Sequence, residues 1–208
     1  EAPNGLAEAF ILSESYIGDS LSALILGDNL YHGKGLGKIL NNVSSKEEGA
    51  SIFAYKVNEP ERYGIIEFDS KFKVISLEEK PIVPKSRFAC TGLYFYDKTV
   101  VEKAKSLKPS KRGELEITDL NNLYLKEDKL YVEPLSRGMV WLDTGTFDSL
   151  HEACSYIRTI EHRQGLKIGC PEEIAWRLGW INDFELENLA GKYLKSGYGS
   201  YLKKILNE

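Results

Sequence analysis

Long apolar runs are missing from this chain of 208 residues: nothing in it reaches the roughly 18 consecutive residues that a membrane span requires. No charged-then-apolar leader opens the sequence as given. Cysteine is scarce. Cys90, Cys154 and Cys170 are odd in number and lack CxxC spacing, so they read as reduced thiols packed as small hydrophobes in a cytoplasmic protein. Histidine is as rare: His32, His151 and His162 share no ligand spacing, and the latter two read as surface residues of one helix. There is no Ser-His-Asp arrangement and no cysteine with a partner that would make it a nucleophile. Excess positive charge is also lacking. The formal net charge of −4 excludes a sequence-independent grip on nucleic acid. The only methionine is Met139, and the chain opens on Glu1-Ala-Pro-Asn-Gly5, which gives the expectation of a piece of a longer protein.

What is present suffices for one sizeable core: 42% of residues are hydrophobic against 28% charged, a balance ordinary for a globular protein. Ala23 to Leu26 form a short apolar run closed by Gly27-Asp28-Asn29, which predicts a strand buried on both faces of a parallel sheet. Leu6, Phe10, Ile11 and Ile17 predict one amphipathic helix over 6–17. Gly33-Lys-Gly-Leu-Gly-Lys38 is not a phosphate loop, because Ile39 stands where a Ser or Thr would bind magnesium; it reads as a loop into a helix over 36–43. Strands are expected over 50–57, 63–68, 73–78, 90–97 and 130–135, the second and third as a hairpin. Helices are expected over 100–107, from about 112 to 125, and over 149–164 with Gly165 as its left-handed stop. From there the composition shifts to short helices alone. The domains predicted are an α/β core over 1–147 and a helical segment over 148–208.

Two carboxylates stand out by context, Asp28 past the end of the first strand and Asp143 within Trp141-Leu-Asp-Thr-Gly-Thr146. An acidic residue at the carboxyl end of a sheet strand lies where open α/β sheets place ligands. A magnesium ion takes one or two protein carboxylates and completes its shell with phosphates and water. The other reading of Asp28 is an ordinary turn, and of Asp143 an acid entering a helix. Lys80, in Glu78-Glu-Lys-Pro81, is a compact point charge on a backbone restrained by proline, suited to a phosphate oxygen or to a surface ion pair with Glu78 or Glu79. Tyr63-Gly64 and Thr91-Gly92 each pair a side chain able to bind a sugar with a glycine that exposes backbone amides.

These motifs stop being independent when taken in order. Pro3-Asn-Gly-Leu-Ala-Glu-Ala-Phe10, Leu26-Gly-Asp-Asn29, Pro60-Glu-Arg-Tyr-Gly64, Ser76-Leu-Glu-Glu-Lys-Pro81, Thr91-Gly-Leu-Tyr-Phe-Tyr-Asp97, Arg112-Gly-Glu-Leu-Glu-Ile-Thr-Asp119, Trp141-Leu-Asp-Thr-Gly-Thr146 and Glu172-Glu-Ile-Ala-Trp-Arg-Leu-Gly-Trp180 resemble the glucose-1-phosphate thymidylyltransferases of the sugar-nucleotidyltransferase superfamily. The resemblance implies a three-layer α/β/α, Rossmann-like mixed sheet and a Mg2+-dependent reaction of dTTP with glucose 1-phosphate that gives dTDP-glucose, a precursor for dTDP-rhamnose and deoxysugars, and pyrophosphate. It implies that Asp28 and Asp143 are metal ligands and that Lys80 neutralises the sugar phosphate. It further implies that Asn29 binds substrate, that Tyr63, Gly64 and Glu79 contact the sugar with the Cys90 backbone beside them and Arg112 bordering the site, and that Gly5 and Leu6 belong to the nucleobase pocket. Arg137 and Arg177 would approach a second, regulatory nucleotide site, and the full protein would be a homo-oligomer, a tetramer built from dimers. The family's opening strand, its glycine-rich loop with arginine and lysine, and its base-reading glutamine have no counterpart in the residues given, so the fold is expected to be N-terminally truncated and the chain by itself incomplete for catalysis. A non-catalytic sugar-phosphate-binding or assembly chain, and a uridylyl or cytidylyl relative, are the alternative readings.

Overall fold

The computed structural model describes residues 4–207; Pro3, where the first of these motifs begins, lies outside the described residues. The chain divides into two units, one running through Thr144 and the other beginning at Gly145.

The first unit is built on strands β1 (Ser22–Ile25), β2 (Asn29–His32), β3 (Ala50–Lys56), β4 (Gly64–Phe68), β5 (Val74–Glu79), β6 (Phe88–Tyr96), β7 (Leu130–Pro134) and β8 (Val140–Asp143). Six of them form a sheet of order β5-β4-β6-β3-β7 with β1 also on β6; β2 and β8 form a separate ribbon. β3 and β7 run parallel and the remaining pairs are antiparallel, so the sheet is mixed. Period-two alternation sorts the side chains of β3 between two cores. Ile52 and Ala54 join one, where α1 (Glu8–Leu12), α4 (Val100–Ser106) and α5 (Ile117–Lys126) contribute Phe10, Val100, Leu120 and Tyr124. Phe53 joins the other, with Val43 of α3 (Leu36–Ser44) and Met139 and Trp141 from the ribbon side. Each fully buried side chain of this size, such as Ile52, Phe53 or Ile66, contributes about 1.5–3 kcal/mol over leaving it in water. The layers are therefore those of an α/β/α sandwich.

β6 changes partners along its length. Phe88 and Ala89 pair with β4, and Leu93 to Tyr96 pair with β1 on the same side. On its other side the register with β3 jumps from Ile52↔Tyr94 to Ala54↔Cys90, leaving Thr91, Gly92 and Leu93 opposite Phe53 alone. Irregularities of this kind re-aim backbone groups beside functional sites.

Three expectations fail here. β1 is not a strand buried on both faces of a parallel sheet: it pairs antiparallel with β6, and Ala23 is exposed and Ile25 58% exposed because only the Leu24 side packs against the core. The helix expected over 6–17 is broken at Ser13 into α1 and α2 (Glu14–Ile17); Phe10 is buried edge-on against Tyr96 while Leu12 and Tyr16 face solvent, so no continuous stripe holds one rod. Of the cysteines, Cys154 is exposed rather than packed.

The second unit begins with α6 (Phe147–Gln164), opened by a capping box between Thr146 and Ser149 and closed by Gly165 at φ 69°. Then α7 (Pro171–Arg177), α8 (Asp183–Lys192) and α9 (Gly197–Ile205) pack around Cys170, Leu186, Ala190, Leu202 and Ile205. The Tyr198 and Tyr201 hydroxyls donate to Glu172 and Glu173 in the first turn of α7. Among the described residues no helix is long and apolar enough to cross a membrane.

Candidate active site

The ribbon places the two aspartates together. Asn29 lies opposite Asp143 in the β2–β8 register, and the backbone N–H and hydroxyl of Thr144 both donate to the Asp28 carbonyl at 2.9 Å. Asp28 and Asp143 thus sit on neighbouring chain segments, although 115 positions separate them in the sequence. Asp28 is exposed and Asp143 half-buried. Among the described residues no group of three or more His, Cys, Asp or Glu side chains is placed to hold a metal ion. Two carboxylates, one exposed and one half-buried, fit a magnesium ion that keeps water and substrate phosphate in its remaining positions.

Asn29 ties this pair to the sheet. Its Oδ1 accepts from the Gly92 N–H at 3.1 Å and from the Trp141 Nε1–H at 2.6 Å, while its Nδ2 donates to Asp28 Oδ1 at 2.8 Å. Gly92 has to be glycine for this: a Cβ would stand 2.7 Å from Asn29 Oδ1 and from Leu26 Cδ1. The Leu26 N–H in turn donates to the Gly92 carbonyl at 2.9 Å. So the stretch of β6 between its two partners is satisfied by the turn that carries Asp28.

A second cluster forms where β4 meets β5. Gly64 is in register with Glu79, and the Lys80 N–H donates to the Tyr63 carbonyl at 3.1 Å. Thr118, at the start of α5, donates its hydroxyl to Glu79 Oε2 at 2.6 Å. Arg112 bridges the same carboxylate at 3.8 Å, with Glu114 at 3.2 Å and Glu116 at 3.7 Å. A Cβ on Gly64 would meet Glu79 and Thr118 at 3.3 Å and Cys90 at 3.8 Å, so these four residues adjoin one another. Burial pushes the Cys90 thiol up to about 12, with the Glu79 charge adding to it, which leaves the sulfur inert at neutral pH. Lys80 has φ 41°, a strained value for a residue that precedes proline; its side chain is exposed and enters none of the ion pairs among the described residues, since Glu78 pairs with Lys85 instead.

The two clusters touch through aromatic rings. Trp141 packs edge-on against Tyr63 at 5.3 Å and against Tyr55 at 5.8 Å. Burial raises the Tyr63 phenol, Arg62 opposes this, and the charge of Asp143 adds to the rise, which puts the Asp143 carboxylate within electrostatic reach of the ring. Tyr31, next to Trp141 in register, has its hydroxyl buried near Thr91, Cys90 and Asp28; desolvation drives its pKa well up.

Gly5 lies near the second cluster. It adopts φ 107°, a Cβ there would be 2.5 Å from the Leu115 carbonyl oxygen, and backbone bonds from Leu115 to Asn4 and from Ala7 to Leu115 dock the segment on the Arg112–Glu116 loop. Leu6 is 41% exposed. Arg137 and Arg177 fall in different units. Arg137 is exposed and bridges to Met139 across Gly138, and Arg177 pairs with Glu173 at 2.8 Å and lies over the Trp176 ring. Thr118 and the positioning part of Trp141 had no periodic signal; both were visible only as members of ordered motifs.

With this geometry in place, comparison with known proteins is direct. The family model described as nucleotidyl transferase matches residues 1–159. The chain belongs to the nucleotidyl transferase family. Similar proteins named glucose-1-phosphate thymidylyltransferase include one from Neisseria meningitidis, 51% identical over 207 residues, and one from Mycolicibacterium smegmatis, 55% identical over 205. These alignments cover 100% and 99% of this chain, and the chain spans 72% and 71% of the relatives' lengths. A solved Bacillus anthracis protein named as a glucose-1-phosphate thymidylyltransferase, in complex with sucrose, is 40% identical with a TM-score of 0.66 over 75% of this chain and 62% of its own. A UDP-glucose pyrophosphorylase solved with UDP-glucose, at 23% identity and a TM-score of 0.67 over 76% of this chain and 64% of its own, shares the fold. As a nucleotidyl transferase the chain is a member of an enzyme family, and it carries both of its candidate clusters within the matched residues.

Proposed function

We propose that this chain forms the metal- and sugar-phosphate-holding part of an enzyme that joins dTTP and glucose 1-phosphate into dTDP-glucose and pyrophosphate. The observation that carries the proposal is the juxtaposition of the Asp28–Asp143 ribbon end with the Tyr63–Gly64, Glu79 and Cys90 cluster through Trp141. The names of the relatives supply the substrates, and the two clusters supply groups suited to them.

In this reading a phosphate oxygen of glucose 1-phosphate forms a bond to the α-phosphorus of dTTP, and the bond to pyrophosphate breaks on the opposite side. No protein nucleophile is required, and the inert state of Cys90 agrees with that. Glu79, fixed by Thr118 and Arg112, accepts from sugar hydroxyls; Gly64, lacking a side chain, lets the sugar lie against the backbone. Lys80 neutralises the sugar phosphate, a role open to it because its ammonium is not already paired among the described residues. Asp28 and Asp143 hold Mg2+, which supplies charge neutralisation at the transferring phosphate. Gly5 and Leu6 border the base. The reading extends to a cytoplasmic homo-oligomer built from dimers, supported by free cysteines and by the exposed Ile174, Leu178, Trp180 and Phe184 of the helical unit.

Pyrophosphate release from dTTP and glucose 1-phosphate, with the product identified by mass, tests the proposal. Stoichiometric release with dTDP-glucose formed is the expected result. Binding of glucose 1-phosphate with no release in the full-length protein would overturn it in favour of a non-catalytic sugar-phosphate-binding chain.

A further inference from the structure

We infer that Asn29 and Trp141 are positioning residues that set the Asp28 carboxylate. The orientation of the Asn29 amide is dictated by its neighbours. Two donors, the Gly92 N–H and the Trp141 Nε1–H, converge on one end, and a carboxylate oxygen of Asp28 faces the other. The flipped amide would turn an NH2 toward two donors and a carbonyl oxygen toward a carboxylate, so only one orientation is consistent with the network. Oδ1 is thereby saturated, and one of the two N–H groups is committed to Asp28. A single N–H remains for any substrate.

The backbone around this amide is built to keep it still. β6 leaves Gly92 without a strand partner for its N–H at the junction between β4 and β1, and the Asn29 side chain fills that position in the ladder. Trp141 is 7% exposed and wedged between Tyr55 and Tyr63, so its N–H approaches Asn29 from a fixed ring. Asp28 itself is exposed and sits in a turn, where an unrestrained carboxylate would sample several rotamers. The restraint from Asn29 is the only side-chain bond to Asp28 among those described. A ligand carboxylate oriented by a hydrogen-bonded neighbour typically loses 10–100-fold in metal affinity, roughly, when that neighbour is removed. Because Trp141 also carries the wall against Tyr63, the same indole sets the metal side and the sugar side at a constant spacing.

This inference rests on Asp28 being a metal ligand, and its test separates the two claims. Mn2+ binding is measured by electron paramagnetic resonance titration on the wild type, Asp28→Asn, Asn29→Ala and Trp141→Phe, each with its melting temperature. Trp141→Phe removes the N–H together with part of the buried ring, so its metal affinity is read beside its melting temperature, and it tests the relay even where Asn29→Ala unfolds. The expected result is near-complete loss of Mn2+ binding in Asp28→Asn and a weakening of about tenfold in Trp141→Phe, in a protein still folded at the assay temperature though its melting temperature is lowered by the lost ring volume. A separate readout needs no metal: in 15N spectra the Trp141 indole N–H exchanges slowly with solvent in the wild type and fast in Asn29→Ala. Loss in Asp28→Asn with wild-type affinity in Trp141→Phe and Asn29→Ala overturns the inference and leaves the metal reading standing. Wild-type affinity in Asp28→Asn overturns the metal reading and the inference with it.

Discussion

Asn29 and Asp143 lie directly opposite one another across a four-residue ribbon, and this one register places two aspartates from distant parts of the chain at a common edge. A slip of one residue would turn Asp143 to the other face of β8 and leave Asp28 alone. The register is held at its end by Thr144, whose N–H and hydroxyl both bond the Asp28 carbonyl. Thr144→Val is expected to lower Mn2+ affinity several-fold while costing about 1 kcal/mol of stability, the worth of one ordinary hydrogen bond. Metal titration and chemical denaturation on the same samples check it; an unchanged affinity would mean that the strand pairing alone suffices.

Thr118 and Glu79 give a second expectation. Their hydrogen bond at 2.6 Å spans α5 and the end of β5, and among the described residues the Glu79 carboxylate has besides it the long Arg112 contact. Thr118→Val keeps the shape and removes the hydroxyl. The Michaelis constant for glucose 1-phosphate should rise about tenfold, equivalent to about 1.4 kcal/mol, with kcat little changed. An effect on kcat alone would contradict the placement of Glu79 at the sugar.

Asp97 predicts how stability depends on pH. The carboxylate is 5% exposed and accepts from the Gly49 N–H, the Thr99 N–H and hydroxyl, and the Tyr124 hydroxyl. Burial by itself pushes its pKa up, yet the bonds from Thr99, Gly49 and Tyr124 outweigh that and hold the group below the ordinary carboxylate value. A lowered folded-state pKa means the stabilisation is complete above the unfolded value near 3.8 and is lost as pH falls through the folded value. Unfolding free energy measured from pH 6 down to about 2 should therefore fall less steeply in Asp97→Asn than in the wild type. That variant should also be less stable at neutral pH by about 2 kcal/mol, since it turns an NH2 toward groups that donate.

The thiols should separate by reactivity. Cys154 is exposed, Cys170 is buried, and burial holds Cys90 protonated up to about 12. Labelling of the native protein at pH 8 should modify Cys154 quickly and the other two only on unfolding. Fast reaction at Cys90 would show that the floor beneath Gly64 is open to solvent.

How far the sequence carried can be judged from particular residues. The hairpin of β4 and β5, the long strand β6 and the end of α6 were legible, because each is set by local signals: a polar turn at Asp69, an apolar and aromatic run, a left-handed stop at Gly165. β2 and β8 were not anticipated as strands. Each is four residues long, every residue of β2 is half-buried, and their partner lies more than a hundred positions away, so no periodicity marks them. β1 was misread for a related reason: a run of apolar residues does not say whether both faces are covered or in which direction the neighbouring strand runs. Asp28, Asp143, Glu79 and Lys80 were legible as candidates through glycine and proline neighbours and ordered motifs. Their connection through Asn29, Trp141 and Thr118 is tertiary, and spacing in one sequence carries no trace of it.

The most direct test of the account is turnover of dTTP and glucose 1-phosphate with Mg2+ by the full-length protein and by its Asp28→Asn and Asp143→Asn variants, with melting temperatures recorded alongside. The prediction is that each substitution lowers kcat by about 100-fold or more at near-native stability, the scale expected when a preorganised electrostatic contact at a transferring group is removed. Turnover within about threefold of the wild type in either variant, well inside the ~1.4 kcal/mol that a tenfold change represents, would contradict it.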